Sequence, residues 1–145
     1  MEIDHDGLEV LSRTECLRLL RTAVVGRLAL TTGALPTVLP VNFTMHGDDV
    51  VFRTGRDARL DAATRDVVVA FEADEIDHVT RTGWSVVVTG VAREVTDPAV
   101  LAEEWVRDLP RWVPEGGSRV VAVSTDLVSG RRVAPRMPVT MDGAR

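Results

Sequence analysis

Two arginines flank a junction between a predicted strand and a predicted helix in the stretch VVFRTGRDARLDAATRD, residues 50–66. Arg53 lies at the end of the strand, and Arg59 lies in the first turn of the helix. Because a helix N-terminus offers unpaired N–H groups and guanidinium groups add bidentate donors, this junction is suited to binding a phosphate. The hydroxyl of Thr54 adds a donor, whereas the carboxylate of Asp57, the expected helix cap, acts against an anion. The residues alone leave two interpretations open, a phosphate cradle or arginines that face solvent.

Other kinds of chemistry find little support in the sequence. The three histidines are scattered and Cys16 has no partner at ligand spacing, so no metal site is expected. The chain contains no lysine, which excludes Schiff-base chemistry, and it has no P-loop, Rossmann or hydrolase motif. The acidic segment EADEIDH, residues 72–78, fits either a cation site or a solvated loop. No residue is therefore assigned as catalytic.

Composition and charge are typical of an ordinary folded domain. The chain has 145 residues, 45% of them hydrophobic and 27% charged, with a formal net charge of −5. A net acidic chain is not expected to bind nucleic acid nonspecifically. No apolar run approaches the ~18 residues of a membrane helix, and the N-terminus lacks the apolar core of a signal peptide. We therefore expect one domain over residues 1–145, with its core at about 11–133, in the cytoplasm and without nucleic-acid or membrane partners.

The elements that must position the junction are mostly strands. Six strands are predicted from apolar or alternating segments, at residues 26–32, 37–45, 50–54, 67–73, 84–95 and 118–133. Short turns rather than long crossovers join most of these segments, which favours an antiparallel barrel. Gly90, inside the longest strand, indicates a bulge or a close approach of another backbone. The expected fold is mainly β, with flanking helices.

Three helices are predicted around these strands. Ser12 and Glu15 have the spacing of a capping box at the start of the first helix, which Gly26 should end. A short helix follows the junction at about 58–65. The segment DPAVLAEEWVRDL predicts the third helix, with Asp97 as its cap and proline at its first position.

In their order and spacing, these segments resemble the pyridoxamine 5′-phosphate oxidase-like flavoproteins, the FMN-binding split-barrel family. The likeness is greatest to the small bacterial members of the nitroimidazole-resistance type. The resemblance implies a six-stranded antiparallel split β-barrel that forms a homodimer, with FMN bound in clefts between the two subunits. The segments that carry it are VGRLAL, LPTVLPVNF, VVFRTGRDARLDAA, VVVAFEAD, TGWSVVVTGVAREV and SGRRV.

The resemblance also implies which residues contact FMN. Arg53 and Thr54 match the strand end that contacts the phosphate, and Arg59 matches a basic position that is often lysine. The segment LPVN, residues 39–42, matches the strand that lies against the flavin ring. The implied cofactor-binding residues are Pro40, Val41, Asn42, Arg53, Thr54, Arg59, Leu60, Trp84, Ser85 and Arg131.

Some of these positions keep two interpretations. Asn42 either places its carboxamide near the polar edge of the flavin ring or is an ordinary strand residue. Trp84 packs either at the dimer interface or in the core, beside Ser85, which matches a polar position near the flavin. Arg131 and Arg132 lie where oxidases of the family carry an arginine near the substrate or cofactor.

The resemblance favours an FMN-dependent oxidoreductase that transfers a hydride or electrons through the flavin to a small-molecule substrate. Vitamin B6 oxidase activity is not expected, because the chain has no tyrosine and lacks the full set of residues that bind pyridoxamine phosphate. A second hypothesis replaces FMN with the deazaflavin F420, for whose acidic tail Arg18, Arg21 and Arg27 would form a basic groove. A third is a non-catalytic binder of flavin or heme, with His46 or His78 as the iron ligand.

Overall fold

The computed structural model describes residues 1–110 and 118–133, in which a closed barrel of antiparallel strands dominates. Two short strands come first, β1 (Glu2–Ile3) and β2 (Glu9–Val10). Around the barrel the order is β3-β4-β5-β8-β7-β6, and β6 pairs with β3 to close it. This confirms the expected mainly β fold with a six-stranded antiparallel barrel. The barrel strands are β3 (Val25–Thr32), β4 (Leu35–His46), β5 (Asp49–Gly55), β6 (Val67–Asp77), β7 (Thr82–Glu94) and β8 (Ser118–Val123).

Strand β7 has two partners along one of its edges. Residues 83–89 pair with a further strand, β9 (Leu127–Val133), whereas residues 92–94 pair with β8. Gly90 lies where the partner changes, and a Cβ atom there would overlap with the carbonyl oxygen of Ser124. The close backbone approach expected at Gly90 is therefore confirmed. It allows the chain to leave the barrel after β8 and continue the sheet as β9, with β2 and β1 beyond it.

Residues 118–133 form two strands instead of the one that the sequence predicts. Strand β8 ends at Val123, and the chain turns before β9 begins. In this turn the hydroxyl of Ser124 donates to the carboxylate of Asp126 at 2.9 Å and accepts from the amide of Val91 at 3.0 Å. The single strand is wrong because these polar residues interrupt the apolar alternation and satisfy one another in a turn.

The first helix, α1 (Arg13–Leu20), is shorter than predicted. It begins as the capping box predicts, since the hydroxyl of Ser12 accepts from the amide of Glu15 at 3.2 Å. Gly26 does not end it. That glycine lies within β3, where a Cβ atom would overlap with the ring of Phe71.

The remaining helices are also short. α2 (Ala58–Ala63) follows the end of β5. The predicted third helix is divided into α3 (Pro98–Leu101) and α4 (Glu104–Arg107), because Glu103 has an extended backbone between them. Asp97 caps α3 as predicted, accepting from the amide of Ala99 at 2.9 Å. Within the described residues, no helix combines the length and apolar character needed to cross a membrane.

Apolar side chains fill the barrel and a smaller layer outside it. Phe43 and Phe71 pack edge to face in the barrel with ring centroids 4.7 Å apart. Side chains alternate along β5, so Val50 and Phe52 face the barrel interior while Val51 faces outward. The outer layer, under α3 and α4, contains Val51, Val106, Leu109, Val120 and Ala122. The end of β5 therefore presents side chains to two different environments.

Candidate functional site

A cleft of about 170 Å³ opens where β3, β4, the end of β5 and α2 meet, and we call it the apolar cleft. Aliphatic side chains such as Leu28 and Leu39 form its walls, and the polar groups of Thr54 and Gly55 lie at one end. Its lining suits an apolar group that carries a polar substituent. Five of the residues implied by the resemblance line it, namely Pro40, Val41, Arg53, Thr54 and Leu60.

Strand β4 contributes three consecutive residues, 39–41, to the lining of the apolar cleft. Pro40 is exposed, whereas Val41, with 7% of its surface exposed, belongs to the barrel core. Asn42 follows on the same strand, is half-buried and pairs with Val25 of β3. It does not line the apolar cleft.

Arg53 and Thr54 point to opposite faces of β5, as neighbours on a strand must. The guanidinium group of Arg53 donates at 2.6 Å to the carbonyl oxygen of Val106, which belongs to the outer layer, and at 3.4 Å to the hydroxyl of Ser118 at the start of β8. The hydroxyl of Thr54 is buried and donates to the carbonyl oxygen of Gly55 at 3.0 Å. The two side chains therefore do not converge within this chain, although both residues line the apolar cleft.

The start of α2 already holds a carboxylate. The side chain of Asp57 accepts from the amide of Arg59 at 2.9 Å and from the amide of Leu60 at 3.2 Å. These amides are the groups that a phosphate would otherwise use, so the backbone here offers less to an anion than the sequence predicts. The side chain of Arg59 is exposed and does not line the apolar cleft, whereas Leu60 does.

Arg119 on β8, which sequence reasoning missed, anchors α2 to the barrel. It is 1% exposed. Its Nε donates to Glu94 of β7 at 2.8 Å, and its Nη1 donates to Thr64 at 2.9 Å and lies 3.0 Å from a carboxylate oxygen of Asp61. The hydrogen bond from Nε of Arg119 to Glu94 is the main cause that lowers the pKa of the Glu94 carboxyl below its ordinary value. The network fixes the helix that carries Leu60 into the apolar cleft.

A second, larger cleft of about 400 Å³ lies on the outer side of β5, and we call it the arginine cleft. It is bounded by β5, the end of β7, α3, α4 and β8. Of the described residues that line it, one is acidic, Glu94, and four are basic. The basic residues are Arg53, Arg56, Arg107 and Arg119.

The remaining implied residues lie in a third cleft, of about 120 Å³, which we call the β7–β9 cleft. Trp84, Ser85 and Arg131 line it, and Trp84 also packs against the barrel core. Arg131 donates to the carboxylate of Asp4 at 2.9 Å. Arg132 pairs with Glu9 at 3.0 Å and is thereby held on the N-terminal segment. This cleft and the apolar cleft have no lining residue in common.

The family model for pyridoxamine 5′-phosphate oxidase matches residues 12–132. The chain belongs to this family. An uncharacterised protein of Mycobacterium tuberculosis is 43% identical over 128 residues, which are 85% of this chain and 84% of that protein. The solved structure of a FAD-binding protein from Mycobacterium smegmatis is 38% identical and has a TM-score of 0.74. The match covers 86% of this chain and 97% of that one.

The barrel of the family recurs in more distant proteins. One is a candidate 5-nitroimidazole antibiotic resistance protein from Bacteroides thetaiotaomicron, with a TM-score of 0.64. It is 14% identical, and the match covers 87% of this chain and 89% of that one. A likeness at this level of identity shows the shared fold alone.

The described structure does not bring together the residues that were considered for F420 and for heme. Arg18 pairs with Glu15, Arg21 with Asp48, and Arg27 with both Glu72 and Asp74, so each arginine of the supposed basic groove already faces a carboxylate. His46 stacks on the ring of Trp105 with centroids 3.9 Å apart. Across the described ranges, no group of three His, Cys, Asp or Glu side chains is placed to bind a metal ion.

Proposed function

We propose that this protein is a flavin-dependent oxidoreductase that transfers a hydride or electrons between a bound flavin and a small molecule. The apolar cleft carries the proposal, because its aliphatic walls adjoin the polar groups of Thr54 and Gly55, and Arg53 also contributes to its lining. A flavin nucleotide has matching parts, a flat ring system and a phosphate, and FMN is the smallest such nucleotide. Membership of the pyridoxamine 5′-phosphate oxidase family and the likeness to a FAD-binding protein support the same class of cofactor.

The bound flavin would supply the redox chemistry, and the side chains of this chain would hold it. Leu28, Leu39 and Leu60 would exclude water from the flavin ring. Because Asp57 occupies the amides at the start of α2, the charge of the phosphate would have to be balanced by the guanidinium groups of Arg53 and Arg59. No residue of the cleft is assigned as a proton donor, and the substrate is left open.

We further propose that the site is completed by a second copy of this chain. The implied residues Trp84, Ser85 and Arg131 lie in the β7–β9 cleft, which shares no lining residue with the apolar cleft. One flavin would contact the implied residues of both clefts if the β7–β9 cleft of one subunit faced the apolar cleft of the other.

An exposed apolar face of the barrel supports this dimer. Across β4, β3, β6 and β7 a row of paired residues runs from Val38 through Ala29 and Ala70 to Thr89. Val38 is 64% exposed, and Val68, further along β6, is 63% exposed. Exposed valines concentrated on one face of a sheet are typical of a surface that another molecule covers.

Val68→Arg is expected to weaken the dimer by about 100-fold, because an arginine in an apolar interface would lose its water without gaining a partner. Sedimentation over a range of concentrations measures the effect. Val79→Arg is the matched control, since Val79 is 92% exposed in the turn between β6 and β7, outside the paired face. A natural protein that is monomeric at micromolar concentration would contradict both the dimer and the shared site.

We also propose that the protein works in the cytoplasm. Its single cysteine, Cys16, is free and buried, and a chain without a disulfide suits a reducing compartment.

The absorption spectrum of the purified protein tests the choice of cofactor. We expect flavin bands, and flavin in the supernatant after denaturation of the protein. A blue-fluorescing deazaflavin would indicate the F420 reductase instead, and a Soret band would indicate a heme binder. Reduction of the bound flavin by NADH, NADPH or dithionite, followed by reoxidation with candidate acceptors, tests catalysis. If no candidate acceptor reoxidises the bound flavin faster than it reoxidises free flavin, the protein is a non-catalytic flavin binder.

A further inference from the structure

Three charged residues lie together on the barrel face that we propose as the dimer interface, and we call them the charged cluster. Arg27 of β3 pairs in register with Glu72 of β6, and Asp74 lies two positions further along β6, on the same face. One nitrogen of Arg27, Nη1, lies 3.2 Å from a carboxylate oxygen of Glu72 and 3.2 Å from one of Asp74. A single guanidinium group thus serves two carboxylates, and the cluster carries one excess negative charge when both are ionised.

Apolar residues adjoin the charged cluster on the same face. Ala70 precedes Glu72 in the outward row of β6, and Val87 of β7 pairs with Glu72 in register. Pro40 of β4 pairs with Arg27 on the other side of the cluster. A second molecule that covered this face would therefore cover the cluster as well, and would remove water from its charges.

The charges that face Glu72 come from two strands of the described structure. Arg27 faces it from β3, and Asp74 lies beside it on its own strand. The outward residues of β7 next to it carry no titratable group, and they are Ser85, Val87 and Thr89. Beyond β7, Arg131 of β9 pairs with Ser85 in register and is held by the carboxylate of Asp4 at 2.9 Å. Within the described residues, the excess negative charge of the cluster is thus left uncancelled by its neighbours.

A proton on Glu72 removes this excess charge. The side chains of Glu72 and Asp74 are 30% and 26% exposed, so both are partly buried even in the separate chain. Burial, followed by the hydrogen bond with Asp74 and the negative charge of Asp74, raises the pKa of Glu72 to about 7. When Glu72 takes a proton from solvent, its O–H donates to the carboxylate of Asp74, whose charge then balances that of Arg27. The protonated cluster is neutral and keeps its hydrogen bonds.

We propose that each subunit binds a proton at Glu72 and Asp74 when the dimer forms, so that the dimer is stronger at acidic than at alkaline pH. This inference rests on the dimer that we propose above. Covering the charged cluster with the apolar face of a second copy costs more free energy when the cluster carries an excess charge than when it is neutral.

The direction of the pH dependence follows from this cost. Because desolvation disfavours the ionised carboxyl group, the pKa of Glu72 should be higher in the dimer than in the separate chain. The dimer is therefore at full strength below the pKa of Glu72 in the separate chain, which is about 7. It weakens as the pH rises from there toward the higher pKa of Glu72 in the dimer.

Sedimentation equilibrium of the purified protein at about pH 6 and about pH 8, at one ionic strength, tests this inference. The dissociation constant of the dimer is expected to be at least about tenfold higher at the alkaline pH, since two clusters must be protonated in each dimer. Glu72→Gln keeps the shape of the side chain and an N–H donor toward Asp74 but cannot titrate. Its dissociation constant should differ less than about twofold between the two pH values. A pH dependence that came from histidines would survive this substitution.

Glu75→Gln is the matched control, because Glu75 is an exposed residue of β6 whose position in the strand places it on the opposite face from Glu72. It removes the same charge and should keep the pH dependence of the parent.

Dilution calorimetry measures the proton directly. Dissociation of the parent dimer releases protons to the buffer, so the heat should differ between phosphate and Tris, whereas the heats of Glu72→Gln should agree. A dimer with equal dissociation constants at the two pH values, or an undiminished pH dependence in Glu72→Gln, would overturn the inference and leave the dimer in place. Equal heats for the parent in the two buffers would do the same. A protein that is monomeric at both pH values would overturn the inference and the dimer together.

Discussion

Replacement of Arg119 by methionine is expected to lower the free energy of unfolding by about 1.5–3 kcal/mol, because it removes a buried guanidinium group and its charge-assisted hydrogen bonds to Glu94 and Thr64. Methionine keeps most of the apolar volume of the arginine stem. It leaves Glu94 without the hydrogen bond at 2.8 Å and Asp61 without the cation at 3.0 Å. Urea denaturation followed by circular dichroism measures the change. Arg119→Lys should recover only part of it, since an ammonium group cannot reach Glu94 and Thr64 with the same fork.

Arg93→Met provides the control for this prediction. Arg93 lies on β7, next to Glu94, and also makes an ion pair, with Asp49 at 2.8 Å, but 46% of its side chain is exposed. Exposed pairs of this kind contribute about 0–1 kcal/mol, so this change should have little effect. A loss of stability in Arg119→Met no larger than that in Arg93→Met would contradict the anchoring role of Arg119.

The substitution Arg119→Met should also alter how the free energy of unfolding depends on pH. The folded protein holds the pKa of Glu94 below its ordinary value of 4.5, mainly through the hydrogen bond from Arg119. A carboxyl group whose pKa is lower in the folded protein stabilises the fold at pH values above its pKa in the unfolded chain. That stabilisation is lost as the pH falls through the pKa of the group in the folded protein. In Arg119→Met this contribution should be smaller, because only Arg56 and Arg65 would then lower the pKa of Glu94. The difference in stability between the parent and the variant should therefore shrink as the pH is lowered below 4.5.

Much of the fold follows from the spacing of apolar residues. Alternation and short turns predict the strands and their antiparallel barrel, and Gly90 predicts where another backbone passes close by. The end of α1 could not be predicted in this way. Val25 continues an apolar run that fits a helix or a strand, and its pairing with Asn42, 17 positions along the chain, decides for the strand. Long-range pairing of this kind leaves no local signal.

The residues of the candidate site are even harder to predict from local sequence than the ends of the helices and strands. Arg53 and Thr54 are neighbours in sequence, which suggests one binding group, but the period of two in a strand separates them. The burial of Arg119 could have been predicted from the sequence, because it shares a face of β8 with the buried residues Val121 and Val123. A charged residue at an inward position of an apolar strand indicates a buried ion pair. Its partners, on α2 and β7, lie too far along the chain to be named from spacing.

Loss of either junction arginine is expected to weaken FMN binding by about ten- to a hundredfold, since charge-assisted hydrogen bonds contribute about 1.5–3 kcal/mol each and ~1.4 kcal/mol corresponds to tenfold. Arg53→Ala and Arg59→Ala remove the guanidinium groups that would balance the phosphate. Arg59→Lys should be mild, because it keeps a positive charge at an exposed position. Quenching of flavin fluorescence measures each dissociation constant.

Riboflavin, which has no phosphate, separates binding of the phosphate from general damage to the cleft. This matters for Arg53, whose hydrogen bonds to Val106 and Ser118 also hold the outer layer against β5. If Arg53→Ala merely loosened that layer, FMN and riboflavin would lose affinity together. If the guanidinium group binds the phosphate, Arg53→Ala should lower the affinity for FMN and leave that for riboflavin unchanged. The dissociation constant for riboflavin divided by that for FMN should then fall toward one. Arg65→Ala is the control, since Arg65 is exposed just beyond α2 and pairs with Glu94 at 3.5 Å. Parent-like FMN binding in both Arg53→Ala and Arg59→Ala would mean that these arginines are surface residues and that the phosphate is held elsewhere.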